Sequence, residues 1–284
     1  MIYKIIQEDY TLDRGFVKNE QSGIVYYTVF AFDKTGLIKH AFSTRLGGVS
    51  SCAYESLNLS VLTSDKLENV WENRKRFLNA VGIEQDRVVG AHQVHHDTIY
   101  QVTTKDKGAG AYDPQTVIPD TDALMTNETG LALTAFFADC VPVLFLDPVK
   151  KVIALAHAGW KGTVAKIAAK TAEAMMQTYG CAKNDILVAI GPSIGPCHYE
   201  VDKPVIEKVR EAFPDYWTEL FAGLNDEGHG YLNLWEANFR QLRDDGIPAG
   251  NISTAGLCTN CNQDLFFSHR RGMAGRQAAV IMLV

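Results

Sequence analysis

The stretch 138–163, ADCVPVLFLDPVKKVIALAHAGWKGT, limits the fold more than any other. Two apolar runs, 141–146 and 152–156, flank Asp147, Pro148 and two lysines. Short runs rich in Val, Ile and Leu with a Pro turn between them read as a buried β-hairpin. A two-residue loop (Pro148, Val149) or a four-residue loop (147–150) gives one register, with Cys140 directly opposite His157. Directly opposed residues of antiparallel strands carry their Cβ atoms roughly 4.5–5.5 Å apart on one face. A thiol and an imidazole therefore meet at the mouth of an otherwise hydrocarbon hairpin. That pair suits two ligands of one metal ion, or a Cys nucleophile with its His base.

The rest of the composition narrows the class. With 284 residues, 46% of them hydrophobic and 21% charged, the chain has ample core for an ordinary globular protein. A net charge of −6, with no Lys/Arg run, argues against a nucleic-acid partner. No apolar run approaches the roughly 18 residues of a membrane span, and residues 1–15 lack the apolar core and cleavage site of a signal peptide. The six cysteines then read as reduced thiols of a cytoplasmic protein. No repeat or linker marks a boundary, so 1–284 reads as one domain.

Along the chain, alternation suggests strands within 1–32 and at 38–42. SerThrArgLeuGlyGlyValSer at 43–50 permits a backbone nest with Arg45 as a forked donor to an anion, or a tight turn with a surface arginine. Residues 65–81 have helical spacing and end at Gly82. A strand over 88–102 places Gln93, His95 and Asp97 on one face, and His92, Val94 and His96 on the other. The aperiodic segment 105–119 is a loop and a candidate lid. Asp120 and Asp122, in ProAspThrAspAla, read as turn and capping residues. Further strands are expected at 131–137, 186–190, 252–255 and 277–284, the last central in a sheet. Helices are expected after Thr163 as N-cap, after Asp202, and over 234–242. Cys258 and Cys261 form a single CxxC, which cannot by itself close a four-ligand structural zinc site.

Three chemistries compete. A mononuclear zinc enzyme takes three protein ligands and leaves a position open; Cys140, His157 and His95 supply them, with Asp139 as a proton carrier. A metal-free hydrolase uses Cys140 as nucleophile and His157 as base. A copper oxidase is the third, but eight histidines without a His-x-His pair supply a multi-copper centre poorly. Spacing alone does not separate the first two.

Taken together, TRLGGVS (44–50), QVHH (93–96), DTDALMT (120–126), ADCVPVLF (138–145), HAGWKGT (157–163), GPSIGPCHYEV (191–201) and the C-terminal CT, FFSHRR and GR segments resemble the YfiH/YlmD family. That bacterial family was once described as laccase-like polyphenol oxidases and is related to the human purine-metabolism protein FAMIN. The resemblance covers nearly the whole chain, and implies an α/β fold with mixed β-sheets covered by helices, similar to the Cys–His deamidase toxins. It implies a metal site of one Cys and two His, carried over to Cys140, His157 and His95; His96 stands where members usually have glycine. It further implies phosphorolysis of adenosine, inosine, guanosine and methylthioadenosine, and hydrolytic deamination of adenosine, with purine nucleosides and inorganic phosphate as partners. For that chemistry Arg45 with Gly47 and Gly48 is the expected phosphate cradle. Lys161 and Arg270 are further phosphate candidates, and Phe267 a candidate to stack on the base.

Overall fold

The structure, a computed structural model, describes residues 15–225 and 227–284. In chain order its strands are β1 (Phe16–Gln21), β2 (Ile24–Val29), β3 (Ile38–Ser43), β4 (Val88–Gly90), β5 (Ile99–Gln101), β6 (Ala123–Thr126), β7 (Ala132–Phe137), β8 (Val141–Asp147), β9 (Val152–Ala158), β10 (Leu187–Ile190), β11 (Glu200–Val201), β12 (Phe221–Ala222), β13 (Gly230–Leu232), β14 (Ile252–Thr254) and β15 (Gln277–Leu283). They form two mixed six-stranded sheets, ordered β1-β2-β3-β15-β7-β4 and β14-β10-β8-β9-β6-β5, and a small sheet β11-β13-β12. β15 is central in its sheet, as its apolar sequence leads one to expect.

The two large sheets pack face to face. Leu133, Phe137 and Ile281 of the first meet Leu144, Leu146, Ile153 and Leu155 of the second. The alternate residues Val143, Phe145 and Ala154 point the other way, toward Ile167, Met175, Leu234 and Leu242 of the helices. Burial on both faces is why β8 and β9 read as continuous apolar runs. Helix Leu67–Val81 covers the outer face of the first sheet through Phe77 and Leu78, and stops at Gly82 with a left-handed φ of 75°. The result is an α/β fold of mixed sheets clad in helices.

Several expectations change. The hairpin is slipped by two residues: Pro142, not Cys140, pairs with His157. Asp147 stays in the strand and pairs with Val152, while its Oδ1 accepts the Val149 and Lys150 N–H groups at 2.8 Å each. That side-chain cap moves the loop to 148–151. Because strand side chains alternate with period two, the slip leaves Cys140 and His157 on the same face. Thr163 is not an N-cap: it lies inside a short helix, Trp160–Val164, and a second helix, Ile167–Tyr179, starts after Lys166 at φ 62°. The 105–119 segment is pinned rather than loose, since the Gly90 N–H donates to the Ala109 carbonyl, the Ile118 N–H donates to the Gly90 carbonyl, and Ala91 bridges Ile118. Part of the expected 1–32 strand region, residues 1–14, lies outside the described residues. No helix among the described residues is long and apolar enough to cross a membrane.

A buried histidine ties β2 to β3 and gives the fold a pH dependence. His40 Nε2 accepts the Val29 N–H at 2.7 Å, which requires a lone pair there and hence a neutral ring. Burial pushes its pKa down to about 3; the Asp33 carboxylate, 3.8 Å from Nδ1, is half-exposed and too far to reverse this. The unfolded chain therefore binds the extra proton below about pH 6.5, and stability falls with falling pH by up to about 1.4 kcal/mol per unit. His40→Gln is expected to flatten the denaturation free energy between pH 6 and pH 4 by about that slope. Parallel profiles for the two proteins would contradict it.

Candidate metal centre

Strand directions decide where the chemistry collects. β8 and β9 are antiparallel, so the start of β8 and the end of β9 lie together. β6 runs antiparallel to β9 and parallel to β5, which brings the segments before β5 and β6 to the same end. His95, Asp122, Cys140 and His157 come from these four segments. One ligand atom each from His95, Cys140 and His157 lies within 4.8 Å of the other two. The rings of His95 and His157 meet edge to face at 4.8 Å between centroids. His157 is buried, Cys140 half-buried and His95 exposed, so the trio opens to solvent on the His95 side.

His95 reaches this point by a route that strand alternation does not describe. Residues 92–98 form no strand, and His95 has a left-handed φ of 62°. The cause is Asp122, a residue that reads in sequence only as turn chemistry. Its Oδ2 accepts the N–H groups of Val94 (3.1 Å) and His96 (2.8 Å), and its Oδ1 accepts the N–H of His95 (3.0 Å). Three consecutive N–H groups around one carboxylate make a nest that displaces the ladder. Asp122 Oδ1 also lies 2.8 Å from His157 Nδ1, and its carbonyl accepts the His157 N–H at 2.8 Å. This fixes the imidazole so that Nε2 faces Cys140 and His95, the carboxylate–histidine pairing typical of metal sites. His96 is not one of the three.

The electrostatics match. Burial would raise the Cys140 thiol, yet His157 and His95 bring it down to about 6. Burial would lower His157, yet Cys140 and Asp122 bring it up to about 9. Burial likewise opposes ionisation of Asp122, but His157 and the N–H groups of His96 and Val94 hold it below its ordinary value. A deprotonated thiolate and two imidazoles aimed at one point are a donor set that a zinc ion accepts, with a fourth position left open.

Gly159 shapes the floor of this point. Its backbone is extended (φ −65°, ψ 174°), so any residue could adopt it, but a Cβ there would stand 3.0 Å from Cys140 Sγ and 3.1 Å from His95 Cδ2. Gly159→Ala is expected to weaken metal binding about tenfold, the low end for a disturbed support of a metal ligand, with stability within about 1 kcal/mol of the parent. A competition titration with a chromophoric chelator reads this, and unchanged affinity would contradict it.

Other expected site residues fall differently. Asp139, at φ 82°, is buried; its Oδ1 accepts Thr259 Oγ1–H (2.6 Å) and its Oδ2 the Arg270 N–H (2.7 Å). It is a strut that turns the chain into Cys140, with both oxygens engaged, and not the proton carrier expected from sequence. The Arg45 guanidinium is spent on the Glu55 carbonyl through Nε and Nη2 and on the Gln263 carbonyl at 2.8 Å. Gly47 and Gly48 serve close packing, since a Cβ on either would overlap the carbonyl of Gly23 or Ser56. The Gly48 N–H donates to Ser56 Oγ and the Val49 N–H to Asn73, so the expected phosphate cradle is closed by the chain's own oxygens. Phe267 is fully buried beneath Arg45, its ring 5.1 Å from the guanidinium, and cannot stack on a ligand. Lys161 is exposed beside the Trp160 ring. Arg270 lies over Tyr199 and donates to the Glu200 carbonyl at 2.9 Å. Two groups not expected from sequence complete the surroundings: Tyr199 and Arg276 both sense the charges of Cys140 and Asp139.

The fold and this Cys/His trio define a class. The chain belongs to the family whose model is described as multi-copper polyphenol oxidoreductase laccase, which matches residues 39–284. Among its relatives is Purine nucleoside phosphorylase YlmD of Geobacillus stearothermophilus, 40% identical over 84% of this chain and 88% of that protein. Human Purine nucleoside phosphorylase LACC1 is 35% identical over 82% of this chain, which spans 52% of the human protein. The crystal structure of the hypothetical protein YfiH of Bacillus licheniformis matches with a TM-score of 0.88 at 36% identity, over 95% of this chain and 99% of that one. That of YlmD from Geobacillus stearothermophilus also gives 0.88, at 35% identity over 94% and 99%. The family resemblance carried by the sequence motifs holds.

Proposed function

We propose that this chain is a zinc-dependent purine nucleoside phosphorylase that also deaminates adenosine. The observation that carries this reading is the convergence of His95, Cys140 and His157, backed by Asp122, in a chain whose relatives are named purine nucleoside phosphorylases. His95, Cys140 and His157 would hold the ion, which supplies Lewis acidity at its open position when bound. A redox-silent ion fits a reaction that transfers no electrons.

The chain's own groups do the rest. In phosphorolysis an oxygen of inorganic phosphate bonds to C1′ of the ribose while the bond from C1′ to the base nitrogen breaks. The base leaves with the bonding pair and takes up a proton. The incoming anion needs fixed cations; the candidates are Arg276, which senses the charges of Cys140 and Asp139, and Arg270, whose backbone N–H donates to Asp139 and whose guanidinium also donates to the Glu200 carbonyl. Burial, then the charge of Cys140, keeps the Tyr199 phenol protonated and able to donate to a substrate oxygen. In deamination, water adds at C6 of adenine and ammonia leaves. Adenosine, inosine, guanosine and S-methyl-5′-thioadenosine are the expected substrates.

The test is adenosine with zinc-replete protein. Phosphate should yield adenine with ribose 1-phosphate, and without phosphate only inosine should form. No product under either condition overturns the reading. One observation favours a second reading: Asp122, His157 and Cys140 also stand in the order of a nucleophile triad. A metal-free Cys–His hydrolase would keep its activity in chelator and be inhibited by zinc, whereas zinc should here activate and protect Cys140 from alkylation. The copper reading rests on the family's description and on a two-His, one-Cys donor set that copper also accepts. It requires copper in the purified protein and oxygen uptake with a phenol.

A further inference from the structure

The CxxC of Cys258 and Cys261 does not stand alone. β10 and β14 are parallel neighbours, Val188 beside Ile252 and Ile190 beside Thr254, so the segments that leave them emerge side by side. Ser193 bridges Cys258, and the Thr259 N–H donates to the Ser193 carbonyl at 3.0 Å. This places Cys197 and His198 against the CxxC, and one ligand atom each from Cys197, His198, Cys258 and Cys261 lies within 4.8 Å of every other. We propose that these four residues bind a second, structural zinc ion that staples the loop after β10 to the loop after β14.

The distances describe a coordination shell. Cys197 Sγ and Cys261 Sγ are 3.4 Å apart. His198 Nδ1 is 3.3 Å from each of them and 3.9 Å from Cys258 Sγ. A tetrahedral zinc with bonds of about 2.3 Å to sulfur and 2.0 Å to nitrogen sets such ligands about 3.5–3.8 Å apart. A disulfide needs about 2.05 Å. Three sulfurs and one imidazole nitrogen form a Cys3His set, a closed structural combination, in contrast to the three ligands and open position of the Cys140 site. Binding a divalent ion would displace three thiol protons and leave one net negative charge. The Gly195 N–H, 3.2 Å from Cys258 Sγ, and Arg271, whose Nε donates to Asn260 inside the CxxC, oppose that charge. Cys258 is buried, Cys197 and His198 half-buried and Cys261 exposed, so an ion can enter from solvent.

The staple has a task beside the first site. Thr259, between the two cysteines of the CxxC, holds Asp139, which turns the chain into Cys140. Tyr199 follows His198 directly. Both loops reach the Cys140 site, and neither loop contains regular structure of its own.

The test is a metal count on the full chain, purified under reductant without chelator. Wild type should carry two zinc equivalents, and Cys261→Ser and Cys140→Ala should each carry one. Cobalt substitution of the wild type provides an independent readout that does not depend on the folding of Cys261→Ser. Thiolate-to-cobalt charge-transfer intensity should correspond to four thiolates, of which Cys140→Ala removes only one. A single zinc per wild-type chain, lost in Cys140→Ala, overturns the proposal, as does a cobalt spectrum with one thiolate. Recovery of Cys261 in a disulfide under these conditions overturns it too.

Discussion

Cys140→Ala should lower phosphate-dependent nucleoside cleavage by on the order of 10³-fold or more. Loss of a metal ligand forfeits several kcal/mol of transition-state stabilisation, and about 4 kcal/mol corresponds to three decades of rate. The change would leave the proposed ion only two imidazoles, one of them exposed. The fold should tolerate it within about 1 kcal/mol, because the half-buried thiol contributes little area and its neighbours Asp139 and Val141 keep their own bonds and packing. Steady-state rates beside a urea midpoint read the two effects separately. A rate within tenfold of wild type would remove Cys140 from the mechanism.

Asp122→Ala should damage both function and stability. The carboxylate accepts four N–H groups, from Val94, His95, His96 and the His157 ring, in a site almost free of solvent. Removing it strands those donors and unties His157, at about 3–5 kcal/mol for breaking a buried charge network. Metal affinity should fall 10–100-fold as His157 loses its orientation. Asp122→Asn keeps the shape but turns an NH2 toward donors, so it should lose most of the affinity with a smaller loss of stability. The stability that Asp122 contributes is present above the ordinary carboxylate pKa and is lost as pH falls through its lowered folded value. Asp122→Asn with native metal affinity would show that the carboxylate does not position the ligand.

These two residues show what a sequence discloses and what it hides. The β8–β9 hairpin was legible because strands buried on both faces leave an uninterrupted apolar signature. Its register was not, because the Asp147 side chain caps the loop and so moves the turn by one position at each strand end. Cys140 and His157 still meet on one face because a slip of two preserves the face, although Pro142 is the residue paired with His157. His95 joins Cys140 and His157 by a different geometry from the one expected: alternation placed it on a strand, while the Asp122 nest bends the chain there. Nothing local marks Asp122, since an Asp in a Pro-Asp-Thr-Asp turn has the same letters whether it caps a loop or gathers three N–H groups. The family motif containing it was the only available signal. The Cys3His cluster was hidden for a topological reason. Its halves are far apart in sequence and meet only because β10 and β14 are parallel neighbours. Phe267 and Arg45 failed as ligand contacts because each found its partner within the chain.

The most direct test of the account is hypoxanthine release from inosine by chelator-treated protein before and after zinc is restored, each with and without phosphate. The account requires release only when zinc and phosphate are both present. Full release in chelator, or release at the same rate without phosphate, would contradict it.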